Sequence, residues 1–220
     1  MFITFEGLDC SGKSTQAQLL VEKLSAGPLP GSDRRQPVRL IREPGGTAIS
    51  ERLRNILLDR ATLELDERAE LLLFEASRAQ LVHRVIRPAL AGGEIVICDR
   101  YADSTTAYQG YGRNLDLAAV KQINLFATGG LVPDVTYFVD ITPAEIVQRK
   151  SRRGDPPDRM ESAGRQFYER VREGYLDIAR CEPDRFVVVD GMPPIPAVED
   201  AVWRALANAT NRAKRQGTRS

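Results

Sequence analysis

Short apolar runs alternate along this chain with longer stretches in which apolar residues return every three or four positions. The short runs, residues 1–6, 38–42, 94–98, 135–140 and 185–190, are rich in β-branched and aromatic residues and read as strands. Three of them hold unbroken apolar cores (Ile95-Val96-Ile97, Tyr137-Phe138-Val139 and Phe186-Val187-Val188-Val189), as a parallel sheet covered on both faces would require. Between them the periodicity predicts helices over residues 13–25, 48–58, 66–91, 117–127, 143–151, 164–180 and 196–210. Strand and helix in alternation imply βαβ crossovers, and so an α/β fold: an open, five-stranded parallel sheet flanked by helices. In such a sheet ligands gather at the carboxyl ends of the strands, where Gly7, Glu43, Asp99, Asp140 and Gly191 fall.

Two stretches break the pattern. Residues 27–37 hold three prolines and two glycines and are expected to form a solvated loop without chemistry. Residues 149–159 place the five cations Arg149, Lys150, Arg152, Arg153 and Arg159 around a Gly/Pro break, which reads either as a solvated turn or as a mobile, arginine-bearing lid. The basic end, residues 211–220, is expected to be a frayed tail. With 220 residues and no internal repeat, the whole chain, 1–220, is read as a single domain.

Charge and cysteine usage narrow the setting. Lys plus Arg number 31 and Asp plus Glu 30, for a net charge of +1, so no global field favours nucleic acid or an anionic membrane. Cys10, Cys98 and Cys181 are widely spaced and form no CxxC pair, against a disulfide framework or structural zinc and in favour of a reducing, cytoplasmic setting. The chain opens directly on a strand, and its apolar runs stay below the about 18 residues of a membrane helix. Its single histidine, His83, sits in a helical pattern and reads as a solvated or capping residue.

The chemistry starts after the first strand. Gly7-Leu8-Asp9-Cys10-Ser11-Gly12-Lys13-Ser14 spells GxxxxGKS and is followed by Thr15 and a helical pattern. Its glycines let backbone N–H groups turn around phosphates, and the following helix points its positive end at them. Residues 7–15 are therefore expected to bind a nucleoside triphosphate, with Lys13 across the β and γ phosphates and the Ser14 hydroxyl on Mg²⁺. Asp99, at the end of the third strand, suits the same Mg²⁺ directly or through water. Arg100 beside it would oppose that role unless a second anion sits nearby, which points to an anionic acceptor; the alternative is a helix cap beside a surface cation. A carboxylate at Asp9 would repel phosphates and must face elsewhere, either toward a sugar hydroxyl or toward solvent or a lysine. Phe74 and Arg78 are four residues apart and share a helix face on which a ring could stack on a base and a guanidinium could bond its edge; the competing reading puts Phe74 in the core. No NKxD guanine reader is present.

Five segments then resemble one family. FEGLDCSGKSTQ (5–16), REPGGT (42–47), LLFEASRAQ (72–80), DRYADSTTAYQGYGR (99–113) and PDVTYFVDITPAE (133–145) are similar, nearly end to end, to thymidylate kinases of the P-loop nucleoside monophosphate kinase fold. The resemblance implies transfer of phosphate from MgATP to dTMP in dTTP synthesis, with ATP and dTMP as partners, Mg²⁺ as cofactor and a homodimer in which apolar surface on residues 71–85 serves the interface. It places Asp9 on the acceptor 3'-hydroxyl, Phe74 on the thymine ring, Arg78 at the base edge and Arg100 near the acceptor phosphate. Thr105 and Gln109 fall where the family lines the base pocket, Tyr108 where it crowds the sugar 2' position, and Arg42 and Glu43 beside the transferred phosphoryl group. Eukaryotic members carry an arginine where this chain has Cys10, so the resemblance moves the catalytic arginine into the lid, to Arg153 first and Arg149 next, as in many bacterial members; Cys10 also exposes the site to oxidation. The acceptor phosphate has a second pKa of about 6 and is already a nucleophile at neutral pH, so no histidine base is required. Another pyrimidine monophosphate kinase, or a nucleotide switch without an acceptor, shares the P-loop argument but not the family segments.

Overall fold

The structure, a computed structural model, describes residues 1–59, 61, 64–153 and 164–217, with side chains given for these except 152, 153 and 211–217. Strands β1 (Phe2–Glu6), β2 (Val38–Arg42), β3 (Ile95–Asp99), β4 (Val135–Asp140) and β5 (Phe186–Asp190) form one parallel sheet in the order β2-β3-β1-β4-β5. The order reverses beside β1, which is where an open α/β sheet leaves its ligand crevice.

The alternation of each strand sorts two packing layers. Ile3 and Phe5 of β1, Ile95 and Ile97 of β3, and Tyr137 and Val139 of β4 pack on α1 (Lys13–Ala26) and α9 (Ile195–Gly217) through Leu20, Leu24, Val198 and Leu206. Phe2, Val96 and Phe138 face the other way. They meet α3 (Glu67–Leu81) and its continuation, and α8 (Arg165–Cys181), through Leu81, Val82, Ile86, Val171 and Tyr175. Each such fully buried apolar side chain contributes about 1.5–3 kcal/mol. On that second face β1 also carries Thr4 and Glu6, both fully buried: Thr4 Oγ1 lies 2.8 Å from Thr136 Oγ1, and Glu6 becomes part of the site. The expectation of three strands covered on both faces holds for β3 and β4. In β5, at the sheet edge, Val188 is 46% exposed.

The remaining helices are α2 (Ala48–Leu58), α4 (Arg87–Ala91), α5 (Ala102–Thr105), α6 (Leu117–Thr128) and α7 (Pro143–Arg153). The single helix expected over residues 66–91 is divided: a wide turn, Val82–Ile86, separates α3 from α4, whose first turn holds Pro88. Proline lacks the N–H that a regular turn needs and crowds the carbonyl four residues back, so the backbone widens there. A second wide turn, Thr106–Gly112, extends α5 and was not expected, because its Gly110, Gly112 and β-branched Thr105 and Thr106 are poor helix formers. Packing decides that segment: a Cβ at Gly112 would stand 2.6 Å from Phe167 of α8. At the other end of the chain α9 runs to Gly217, where a frayed tail was expected from residue 211. Arg, Ala, Lys and Gln there are strong helix formers. No described helix is long and apolar enough to cross a membrane.

Candidate active site

The P-loop joins β1 to α1 above the carboxyl end of the sheet. Gly12, at φ 95°, sits at the start of α1 in a conformation that costs glycine little. A Cβ on Gly7 would meet the Val139 carbonyl at 2.7 Å, so only glycine lets the loop cross β4 this closely. Helices α2, α3 and α6 are capped by the side chains of Thr47, Asp66 and Asp116. In contrast α1 has no side-chain cap and no acid in its first turn, which leaves its N-terminal N–H groups and positive dipole end open to an anion.

Lys13 begins α1 and is 8% exposed, with Nζ 3.5 Å from the Leu8 carbonyl. Burial and nearby Arg100 push its ammonium below the ordinary lysine range, against the pull of Asp99 and Asp9. Arg100 follows β3 in a left-handed conformation, φ 71°, with its N–H donating to the Phe5 carbonyl at 2.9 Å. Its Nη2 donates to Asp9 Oδ1 at 2.6 Å and to the Tyr108 hydroxyl at 3.2 Å, and its Nη1 to the Gly7 carbonyl at 3.0 Å and to Ser104 Oγ at 3.2 Å. Asp9 also accepts from the Tyr168 hydroxyl at 3.0 Å. Burial would raise the Asp9 carboxyl, but Arg100 and Lys13 hold it below its usual range. Asp9 therefore faces an arginine and a tyrosine, a pairing outside the solvent-or-lysine alternative.

Beneath this pair lies Glu6. Its Oε1 accepts from the Tyr101 N–H at 2.7 Å, and its Oε2 from Ser104 Oγ at 2.5 Å and the Tyr175 hydroxyl at 2.8 Å. It braces the strained turn at Arg100 from below, and burial followed by the charge on Asp103 pushes it up to about 7.

Ser14 Oγ donates to Asp99 Oδ2, while the buried Asp99 Oδ1 has no hydrogen-bond partner. A hydroxyl oxygen beside an unsatisfied carboxylate oxygen is the hard donor set that suits Mg²⁺. Among the described residues no group of three or more His, Cys, Asp or Glu could hold a metal, so the remaining oxygens would come from phosphate and water.

These groups border one cavity of about 700 Å³. Asp9, Cys10, Gly12, Lys13, Ser14, Thr15, Asp99 and Arg100 contribute the P-loop and the end of β3 to its lining, joined by Arg42, buried Glu43 against Arg78, Arg149, Phe74, Thr105, Tyr108 and Gln109. Pro44, Arg54, Leu58 and Ser104 also line it and were not among the residues expected from the sequence. Arg54 carried a signal only through its helix, from which Nη1 donates to the Pro44 carbonyl at 3.0 Å. Of the predicted triphosphate residues, Leu8 points away: its side chain is fully buried in the core, leaving only its backbone near the site. Gly7 and Ser11 likewise do not border the cavity, because Gly7 packs on β4 and Ser11 turns inward. Asp140 and Gly191, expected among the converging strand ends, serve structure instead. Asp140 takes two bonds of 2.7 Å from Arg172, and the Gly191 carbonyl one of 2.9 Å from Arg149 Nη2.

Arg149 also donates from Nη1 to the Cys10 and Ser11 carbonyls at 3.2 Å, which ties α7 to the P-loop. The side chain of Arg153 and the lid segment 154–159 lie outside the described residues. Arg42 pairs with Glu51, 3.0 Å away. Arg78, 2% exposed, donates from Nε to Glu43 at 2.8 Å, from Nη1 to Thr105 at 2.8 Å and to Glu75, and from Nη2 to the Tyr101 carbonyl at 3.0 Å. Phe74 is half-buried at the cavity wall and stays outside the core clusters.

A family model described as thymidylate kinase matches residues 5–202. The chain belongs to the thymidylate kinase family. It is 47% identical to the thymidylate kinase of Deinococcus radiodurans over 207 residues, covering 94% of this chain and 96% of that one. It is 46% identical to that of Caldanaerobacter subterraneus, covering 97% and 98%. The crystal structure of the thymidylate kinase from Ehrlichia chaffeensis superposes with a TM-score of 0.73 at 38% identity, over 94% of this chain and 97% of that one.

Proposed function

We propose that this thymidylate kinase transfers the γ-phosphoryl group of ATP to the 5'-phosphate of dTMP, giving dTDP and ADP. The observation that carries this reading is one cavity whose lining combines an open, lysine-bearing P-loop with Phe74, Thr105 and Gln109. A nucleotide switch needs only the P-loop part of that lining. Lys13 and the N–H groups of α1 hold the β and γ phosphates, and Arg100 holds the acceptor phosphate. Ser14 and Asp99 would hold Mg²⁺, which would supply charge neutralisation on the phosphates. Catalysis is alignment and charge neutralisation, since the acceptor oxygen is already anionic.

Phe74 stacks on the thymine, and Arg78 meets the base edge by sharing a donor now given to Thr105 or Glu75. Asp9 gives up part of its hold on Arg100 to receive the sugar 3'-hydroxyl, beside Tyr108. The lid arginines, Arg153 and Arg149, close over the phosphates, with Arg42 and Glu43 beside the transferred phosphoryl group, and exclude water. We place the enzyme in the cytoplasm as a homodimer. Leu72, Leu125 and Phe126 are exposed on α3 and α6 and form an apolar face for that pairing, whereas Leu71, Leu81 and Val82 of the stretch first expected there turn inward.

Lys13→Ala tests the reading in a phosphotransfer assay with ATP and dTMP. Turnover should fall by at least about 100-fold; near-wild-type turnover would overturn the assignment.

A further inference from the structure

Gln109, 2% exposed on the cavity wall, donates from its amide Nε2 to Glu70 Oε1 at 2.8 Å. Glu70 lies on α3, is 1% exposed, and takes two further bonds from Arg113, to Oε1 at 3.4 Å and to Oε2 at 3.2 Å. Arg113 in turn lies over the Phe167 ring at 5.0 Å. A carboxylate paired with a guanidinium offers lone pairs and no hydrogen, so only the NH₂ head of an amide can face it. The Oε1 head of Gln109 is then the one left for the cavity, and the amide cannot turn over without setting oxygen against oxygen.

We propose that Glu70 is a positioning residue for base selection: by fixing the Gln109 amide it presents a hydrogen-bond acceptor that admits an imide base, with its ring N–H, and rejects a 4-amino pyrimidine of the same size. The inference rests on the acceptor being a pyrimidine nucleoside monophosphate, as proposed above. In thymine or uracil the ring N3–H donates to Oε1. In cytosine N3 carries a lone pair, which would face Oε1 with both groups desolvated and unpaired. A freely turning amide could serve either base, so the lock adds its own selectivity against cytosine to that of Arg78, whose donors would face a 4-amino group unpaired.

The experiment is the ratio of kcat/KM for dTMP to that for dCMP, in wild type and Glu70→Gln. The substituted side chain can pair with Gln109 in either orientation and frees the amide to turn. The ratio should drop about tenfold or more, with KM for ATP unchanged. A purely structural role would lower both substrates alike and keep the ratio; that result, in a wild type that discriminates, overturns the role of Glu70 alone. A wild type that phosphorylates dCMP as well as dTMP overturns the dTMP assignment itself and this inference with it. Crystals of the wild-type enzyme with dTMP give a second test that needs no variant: Glu70 must stay within hydrogen-bond distance of the Gln109 amide, and their separation in the complex overturns the lock.

Discussion

Asp9 and Arg100 face each other across the mouth of the P-loop at 2.6 Å, with the two side chains 18% and 16% exposed. The pair joins residues far apart in sequence at the carboxyl ends of two adjacent strands. With the Gly7 carbonyl, Ser104 and Tyr108 it fixes the guanidinium of Arg100, the arginine proposed above to meet the acceptor phosphate.

Replacing Asp9 by Asn should therefore cost efficiency with the acceptor more than with ATP. Removing one partner of a half-buried charge pair leaves the other unpaired, and kcat/KM for dTMP is expected to fall about 10- to 100-fold. Steady-state kinetics with each substrate varied in turn would check it. An equal loss toward both substrates would argue against the assigned position of Asp9.

The pH dependence of stability should carry the mark of Glu6. Its pKa rises from 4.5 to about 7 on folding, so between those values the native state binds a proton that the unfolded chain has released. Stability contributed by this group is complete below 4.5 and is lost as pH rises through about 7. Asp9, whose carboxyl is lowered, acts in the opposite sense, but only below its ordinary value of 3.8, outside that window. Buried Glu43, likewise pushed up to about 7, acts in the same sense and window, so thermal unfolding followed from pH 5 to 8 should show declining stability and Glu6→Gln should make the decline shallower without abolishing it. An unchanged slope in the variant would refute the assignment.

Much of this site was legible in the sequence, and what was missed has a common cause. The P-loop is contiguous, so its spacing alone reports its chemistry, and Phe74 with Arg78 share a face by helical period. The partners of those residues are remote: Glu43, just past β2, meets Arg78 of α3 from 35 residues away, and Tyr168 of α8 meets Asp9 from 159 residues away. Glu6 and Glu70 looked like ordinary strand and helix acids, since nothing local marks a carboxylate as buried. The turn at residues 106–112 was invisible for a related reason, because contact with α8 overrides weak helix propensity there.

Phe74→Ala should separate binding from chemistry. Loss of an aromatic stacking platform costs about 1–3 kcal/mol per base, so KM for dTMP should rise about 5- to 150-fold while kcat changes little. A fall in kcat with unchanged KM would place the ring elsewhere than on the base.

Arg149 offers a test at the other end of the cavity. Its planar fork spans the Cys10, Ser11 and Gly191 carbonyls, and a lysine cannot reproduce that geometry. Arg149→Lys should raise KM for ATP about tenfold with little change for dTMP. Unaltered ATP kinetics would exclude a role in shaping the P-loop.

The central claim is that the two ends of the cavity serve ATP and dTMP in one reaction. Steady-state phosphotransfer from ATP to dTMP, dUMP, UMP, CMP and AMP tests it most directly. The account predicts the highest kcat/KM for dTMP, with formation of dTDP and ADP in equal amounts. A clear preference for UMP or CMP, or tight ATP binding with no transfer to any monophosphate, would contradict it.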